Sequence, residues 1–168
     1  MTVRKVITWG DPRLKIKSKD VGNWTPELEQ LVIDLFETTL EVDGVGLAAP
    51  QVGININIAV IDISCGSDTS SKLVLINPEI TLMQGSQRSC EGCLSIPGIY
   101  ETLDRPKQIW VKNRKPSGSW EEFQSEDSLA RIICHEVDHL RGLLFVDHFG
   151  PVKRQIIQRR YSKQQSHS

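Results

Sequence analysis

The sequence predicts a single α+β domain, and three observations carry that expectation. A well-capped amphipathic helix comes first, a run of short strands with turn signals follows, and two helices close the chain. At 168 residues it is long enough for one domain with a proper core. No internal repeat or interdomain linker interrupts it.

Residues 3–9 alternate weakly and predict a short segment against the core, ended by the turn signal Gly10-Asp11-Pro12. The first helix has good start chemistry: Thr25 as cap, Pro26 at the first position, Glu27 and Glu29 in the first turn. Leu28, Leu31, Val32, Leu35, Phe36 and Leu40 follow at helical spacing, as one core-facing side. Residues 44–53, GVGLAAPQVG after Asp43, carry little side chain, so that backbone can approach something closely. The plain alternative is a tight connection; a phosphate loop is disfavoured because no G-K-[ST] ending follows. Gln51 is the long polar group of this stretch.

Residues 56–63 are apolar and β-branched, the mark of a buried strand. Residues 64–71 form a polar loop, and strands are expected at 72–77, 79–83, 100–102, 108–112 and 120–124. Lys115-Pro116-Ser117-Gly118 reads as a hairpin turn. A helix at 129–143 precedes a basic one at about 151–161, with Val152, Ile156 and Ile157 apolar, and a polar tail expected to fray.

Composition narrows the function classes. A net charge of −1 gives no field favouring DNA or a membrane, and no apolar run could span a bilayer. The start resembles neither a signal peptide nor a transit segment, which predicts the cytoplasm of a bacterial or phage-infected cell, or an organelle matrix if a targeting segment has been removed. Four cysteines are too few for a disulfide scaffold and read as thiols or ligands.

The chemistry concentrates in His135-Glu136-Val137-Asp138-His139. Residues four apart share a helix face, so the two imidazoles can grip one metal ion, while Glu136 can move a proton for water activated there. The bland reading is two ordinary histidines on a buried helix. A third ligand is needed, and Cys90-Glu91-Gly92-Cys93 offers a thiolate. Either both cysteines close a structural site of two thiolates and two imidazoles, or only one binds and leaves a position open for catalysis. The long spacing to His135 is unlike a zinc finger, and Glu136 has no purpose in a closed site. A redox C-x-x-C normally opens a helix, whereas Gly92, Pro97 and Gly98 argue for extended or turning backbone. A zinc peptidase is the other enzyme reading, but the place of the third metzincin histidine holds Phe145, which cannot bind metal, and His148 lies off that spacing. Cys93 is the best candidate for the third ligand.

Three stretches, Gly44-Val45-Gly46-Leu47-Ala48-Ala49-Pro50-Gln51, Glu91-Gly92-Cys93-Leu94-Ser95 and His135-Glu136-Val137-Asp138-His139, closely resemble in order and spacing the three signature motifs of peptide deformylases. The resemblance extends to Gly10-Asp11-Pro12-Arg13-Leu14, Leu75-Ile76-Asn77-Pro78, Arg105-Pro106 and Leu144-Phe145-Val146-Asp147. It implies antiparallel strands packed around a central metal-binding helix, and removal of the formyl group from N-formylmethionine of nascent peptides as formate. It implies Cys93, His135 and His139 as metal ligands, Glu136 as catalytic acid/base, and Gln51 with the Leu94 N–H as oxyanion donors. Gly46 matches a backbone contact to substrate; Val45, Glu91, Arg105, Ile132 and Cys134 are further substrate-binding candidates. The ligand types suit several metals, and the resemblance implies Fe2+, with Zn2+, Ni2+ or Co2+ able to substitute. Cys90 is not a signature position. Cys134 stands where Gln is common, and Glu126-Asp127-Ser128 where a Gly is frequent. The basic terminal helix reads either as a solvated face or as a contact to the ribosome, which carries the substrate.

Overall fold

A computed structural model describes residues 2–167. The first helix, α1 (Pro26–Glu41), starts as its cap chemistry dictates, with the Thr25 hydroxyl accepting from the Leu28 N–H at 3.3 Å. Leu31, Val32 and Leu35 are buried, but Leu40 is 54% exposed, contrary to the expected face. At 100° per residue it has drifted about 120° from Leu28, off the buried stripe. A second side of α1 is covered instead by the N-terminal segment. Arg4 donates to the buried Asp34 at 2.9 Å, and its backbone N–H donates to Thr38 Oγ1 at 2.9 Å. That segment lies against the body as expected, with no strand pairing of its own: Ile7 N–H bonds Gln51 O and Trp9 N–H bonds Ser95 O.

Among the described residues eight strands follow: β1 (Gly46–Ala48), β2 (Ile58–Asp62), β3 (Lys72–Ile76), β4 (Glu79–Gln84), β5 (Gln87–Cys93), β6 (Ile96–Arg105), β7 (Gln108–Arg114) and β8 (Trp120–Glu126). They make three antiparallel groups, ordered β1-β2-β3, β4-β7-β8 and β5-β6. The hairpin turn falls where its residues predict, with Gly118 at φ +91° and its N–H on Lys115 O. α2 (Asp127–Leu140) is enclosed by these groups. Ala130, Ile133, Cys134 and Val137 pack with Ala59, Ile61 and Leu75 of one sheet and Ile109 and Val111 of another. The fold is therefore α+β, with antiparallel strands around a central helix.

Several elements differ from the sequence expectation. β1 replaces the irregular connection expected at residues 44–53: three residues pair with β2, and a 3-10 turn follows. The stretch at 88–97, expected to be extended or turning, pairs within the long β5-β6 hairpin. Its glycine leaves room for the Tyr100 ring, which a Cβ on Gly92 would approach to 2.6 Å. α2 starts two residues earlier and ends three residues sooner than expected. Its first residue, Asp127, takes φ +54°, which explains why glycine suits this position.

The terminal helix α3 (Pro151–Ser166) runs well past Tyr161, where fraying was expected. Ile157 and Tyr161, one turn apart, are its buried residues, and Tyr161 packs on Trp9 with ring centroids 5.4 Å apart. Val152 and Ile156 are exposed, since that side of the helix meets no other element.

Two residues past the end of α2, Gly142 takes φ +78°, and a Cβ there would lie 2.6 Å from the Lys15 carbonyl oxygen. Both the left-handed conformation and the backbone contact exclude a side chain. Gly142→Ala is expected to lower stability by about 1–3 kcal/mol in thermal or urea unfolding. A variant as stable as the parent would show that the turn relaxes freely.

Candidate active site

A cleft of about 400 Å³ opens along α2. One wall is the backbone of Gly44, Val45 and Gly46; the other is Gly92 to Leu94 with Ile96 to Tyr100; the floor is Arg131, Ile132, His135 and Glu136. Helical spacing sets the floor, since Arg131 and His135 are four apart, as are Ile132 and Glu136.

Cys93, His135 and His139 bring one donor atom each to within 4.8 Å of one another. His139 Nε2 lies 3.3 Å from Cys93 Sγ and 3.3 Å from His135 Nε2. Two ligands on one tetrahedral ion, each bonded at about 2.1 Å, stand roughly 3.4 Å apart, so the spacing fits a shared cation. The electrostatics agree. Burial opposes a charge on His135, but hydrogen bonds with Cys93 and Glu91 outweigh it and raise its pKa to about 10. Burial, with repulsion from His135 and Arg105, holds His139 well below the usual histidine range, as a neutral donor. Its Nδ1 is buried without a partner.

His135 is oriented from behind. Its Nδ1–H donates to Glu91 Oε1 at 2.9 Å, which leaves Nε2 turned toward Cys93 and His139. Arg105 grips both Glu91 oxygens, at 2.8 and 2.9 Å, and reaches Asp138 Oδ2 at 2.7 Å. Burial alone would raise the Glu91 pKa; hydrogen bonds from Arg105 and His135 and the Arg105 charge hold it at about 2.

Glu136 sits at the cleft floor with Oε2 buried and unpartnered. Burial raises its pKa to about 7, opposed by the positive charge of His135 and reinforced by Asp138 and Glu91. That places its proton within reach at neutral pH. Glycine at position 46 leaves room for this carboxylate, since a Cβ there would lie 2.6 Å from Glu136 Oε1. Gln51 is buried and fixed: Oε1 accepts from Ala48 N–H at 3.0 Å, and Nε2 donates to Ser95 Oγ at 3.2 Å while lying 3.8 Å from Cys93 Sγ.

The predicted residues divide into two sets. Cys93, Leu94, His135, Glu136, Gln51, Val45, Gly46 and Ile132 line the cleft, with His139 against its end. Glu91, Arg105 and Cys134 do not. Glu91 and Arg105 are buried behind His135 as its support, and Cys134 turns into the core, where burial pushes its thiol up to about 11. Cys90 is exposed and faces away from Glu91, because successive strand residues alternate sides; it stands outside the three-ligand cluster found among the described residues. Arg131 and Tyr100 of the lining were not anticipated, nor was the Asp138–His148 pair behind it. Helical spacing from His135 carried a signal for Arg131; nothing local marked Tyr100.

Among the described residues, no helix is long and apolar enough to cross a membrane. The polypeptide deformylase family model matches residues 3–155. A peptide deformylase of Acidobacterium capsulatum is 41% identical over 98% of this chain and 97% of its own. One from Nitrosococcus oceani is 42% identical over 98% of each. The crystal structure of a peptide deformylase from Legionella pneumophila superposes with a TM-score of 0.91 at 38% identity, covering 98% of this chain and 96% of that one. A Synechococcus elongatus peptide deformylase solved in complex with actinonin gives 0.88 at 37% identity, over 96% of this chain and 87% of its own. With its cysteine and two histidines converging beside a buried glutamate, the chain belongs to the polypeptide deformylase family, metal-dependent hydrolases that remove the N-formyl group from newly made polypeptides.

Proposed function

We propose that the substrate is N-formylmethionine at the start of a nascent chain, and that Cys93, His135 and His139 hold one divalent metal, ferrous iron in the working enzyme. The convergence of these three donors beside the unpartnered Glu136 carries this reading. Zn2+, Ni2+ or Co2+ suit the same donors and can substitute. When bound, the metal supplies Lewis acidity, activating water at neutral pH and drawing charge off the formyl oxygen. Gly46 and its neighbours lie against the peptide backbone, and Ile132 offers apolar surface to the methionine side chain. Glu136 takes a proton from the attacking water and delivers it to the departing amine nitrogen as the formyl C–N bond breaks. Gln51 Nε2 and the Leu94 N–H stabilise the oxyanion formed on the way. The products are formate and a free methionine amine.

The test is formate release from a formyl-methionyl tripeptide by protein purified without oxygen, with metal content measured alongside. Formate release with intact internal peptide bonds is expected, and Cys90→Ser is expected to keep both metal and rate. Robust endopeptidase activity without formate would favour the peptidase reading. Loss of metal in Cys90→Ser would favour a closed site of two cysteines and two histidines.

We also propose that the enzyme works in the bacterial cytoplasm, beside the ribosome, with α3 making the contact. Of its basic side chains, Lys153 and Arg160 pair with Glu101, and Arg154 lies 3.9 Å from Asp147; Arg159 and Lys163 remain exposed. Deleting α3 would remove Ile157 and Tyr161 from the core and is therefore a poor test. Arg159→Glu with Lys163→Glu is better: cosedimentation with ribosomes at low salt is expected to fall, with tripeptide hydrolysis kept. Unchanged cosedimentation would leave α3 a purely structural helix.

A further inference from the structure

His148 was set aside as a metal ligand on spacing, yet the fold returns it to the metal site by another route. The turn at Gly142 reverses the chain after α2, with Leu143 N–H bonding Asp138 O at 2.9 Å. A 3-10 turn at Phe145–His148 follows, held by Asp147 Oδ2 accepting from Leu144 N–H at 2.8 Å. This brings His148 Nε2 to 2.7 Å from Asp138 Oδ2 and 3.3 Å from Arg105 Nη1. Arginine can only donate, and an ionised aspartate can only accept. The short contact is therefore Nε2–H donating to Asp138, which also accepts from Arg105 at 2.7 Å. The longer contact to Arg105 is two donors side by side on one acceptor.

The bonds join into a continuous chain: His148 to Asp138, Asp138 to Arg105, Arg105 to both oxygens of Glu91, and Glu91 to the Nδ1–H of His135. The inner members are buried, while the His148 side chain is 42% exposed. Asp138 sits on α2, Arg105 ends β6, Glu91 lies on β5, and His148 follows α2. Four separate segments therefore converge to set one imidazole. Arg105 is a long side chain whose guanidinium must stay in register with Glu91. Its other anchor is Asp138, and His148 is what closes that carboxylate from the solvent side.

We propose that His148 is a positioning residue for the metal site: by holding Asp138 it fixes Arg105 and Glu91, and so keeps His135 in the tautomer that presents Nε2 to the metal. The inference rests on His135 being a metal ligand. Partners one step behind a ligand typically change metal affinity about 10- to 100-fold when removed. His148 acts through three intervening side chains, so a smaller effect of roughly three- to tenfold is expected.

The test compares His148→Ala and His148→Gln with the parent protein, each loaded with Zn2+ in competition with a chelator. His148→Ala is expected to weaken Zn2+ three- to tenfold and to broaden or shift the His135 Nδ1–H resonance of the loaded protein. His148→Gln is expected to restore both, because its amide N–H can donate to Asp138. A merely structural role would lower the melting temperature of the metal-free protein and leave Zn2+ affinity and the resonance alone. Affinity within twofold of the parent in His148→Ala overturns the proposal, and so does a Gln variant that behaves like the Ala variant. A parent protein that takes up no Zn2+ would instead overturn the ligand assignment on which it stands.

Discussion

Glu136→Ala is expected to keep its metal and to lose about 100- to 10,000-fold in kcat on a formylated tripeptide, the range that positioned acid–base groups contribute. The carboxylate is buried beside the ligands without being one of the three converging donors. Metal analysis and single-turnover formate release separate the two roles. Cys93→Ala, His135→Ala and His139→Ala should lose the metal itself and thereby differ in kind. A Glu136→Ala protein found metal-free, or as active as its parent, would remove Glu136 from the proton transfers assigned to it.

The largest stability effect is expected at Glu91. It is 1% exposed and answers two groups at once, the Arg105 guanidinium and the His135 ring. Glu91→Ala leaves a buried guanidinium with Asp138 as its remaining anion. Breaking a buried pair from one side typically costs about 3–5 kcal/mol. For a domain of this size that corresponds to a fall in Tm of roughly 6–20 °C. Zn2+ affinity should drop about 10- to 100-fold in the same variant, since His135 loses its orienting acceptor.

The pH dependence follows from the same carboxylate. The Glu91 pKa falls from 4.5 to about 2 on folding, so its contribution is complete above about pH 4.5 and is lost as pH falls toward 2. Metal-free protein should therefore lose stability across that acid window, and Glu91→Gln should show a flatter acid limb. An acid limb identical to the parent's would mean that other carboxylates govern acid unfolding.

Some of this molecule was legible in the sequence because the responsible physics is local. Thr25-Pro26 starts a helix wherever the following residues are amphipathic, and residues 58–62 are too apolar and β-branched to be anything but buried strand. His135 and His139 share a face because a helix repeats every 3.6 residues, and the same geometry puts Glu136 beside them. Their link to Cys93 was legible through resemblance to a family's motifs, not through spacing; His135 lies 42 positions after Cys93, and no local rule sets that distance.

Tertiary structure decided the rest. The β5-β6 hairpin was hidden because Gly92, Pro97 and Gly98 fit extended and turning backbone alike, and only the pairing of β5 with β6 decides between them. Leu40 and Ile156 carry apolar side chains like their buried neighbours, and only the packed neighbours determine which of them are covered. Glu91 and Arg105 were read as substrate contacts because they stand in stretches that resemble the family's motifs. Pairing of β5 with β6 and the seating of α2 turn them to the far side of His135. The ligand types were written into the chain. The buried charges that aim them come from segments far apart in sequence, so folding alone brings them together.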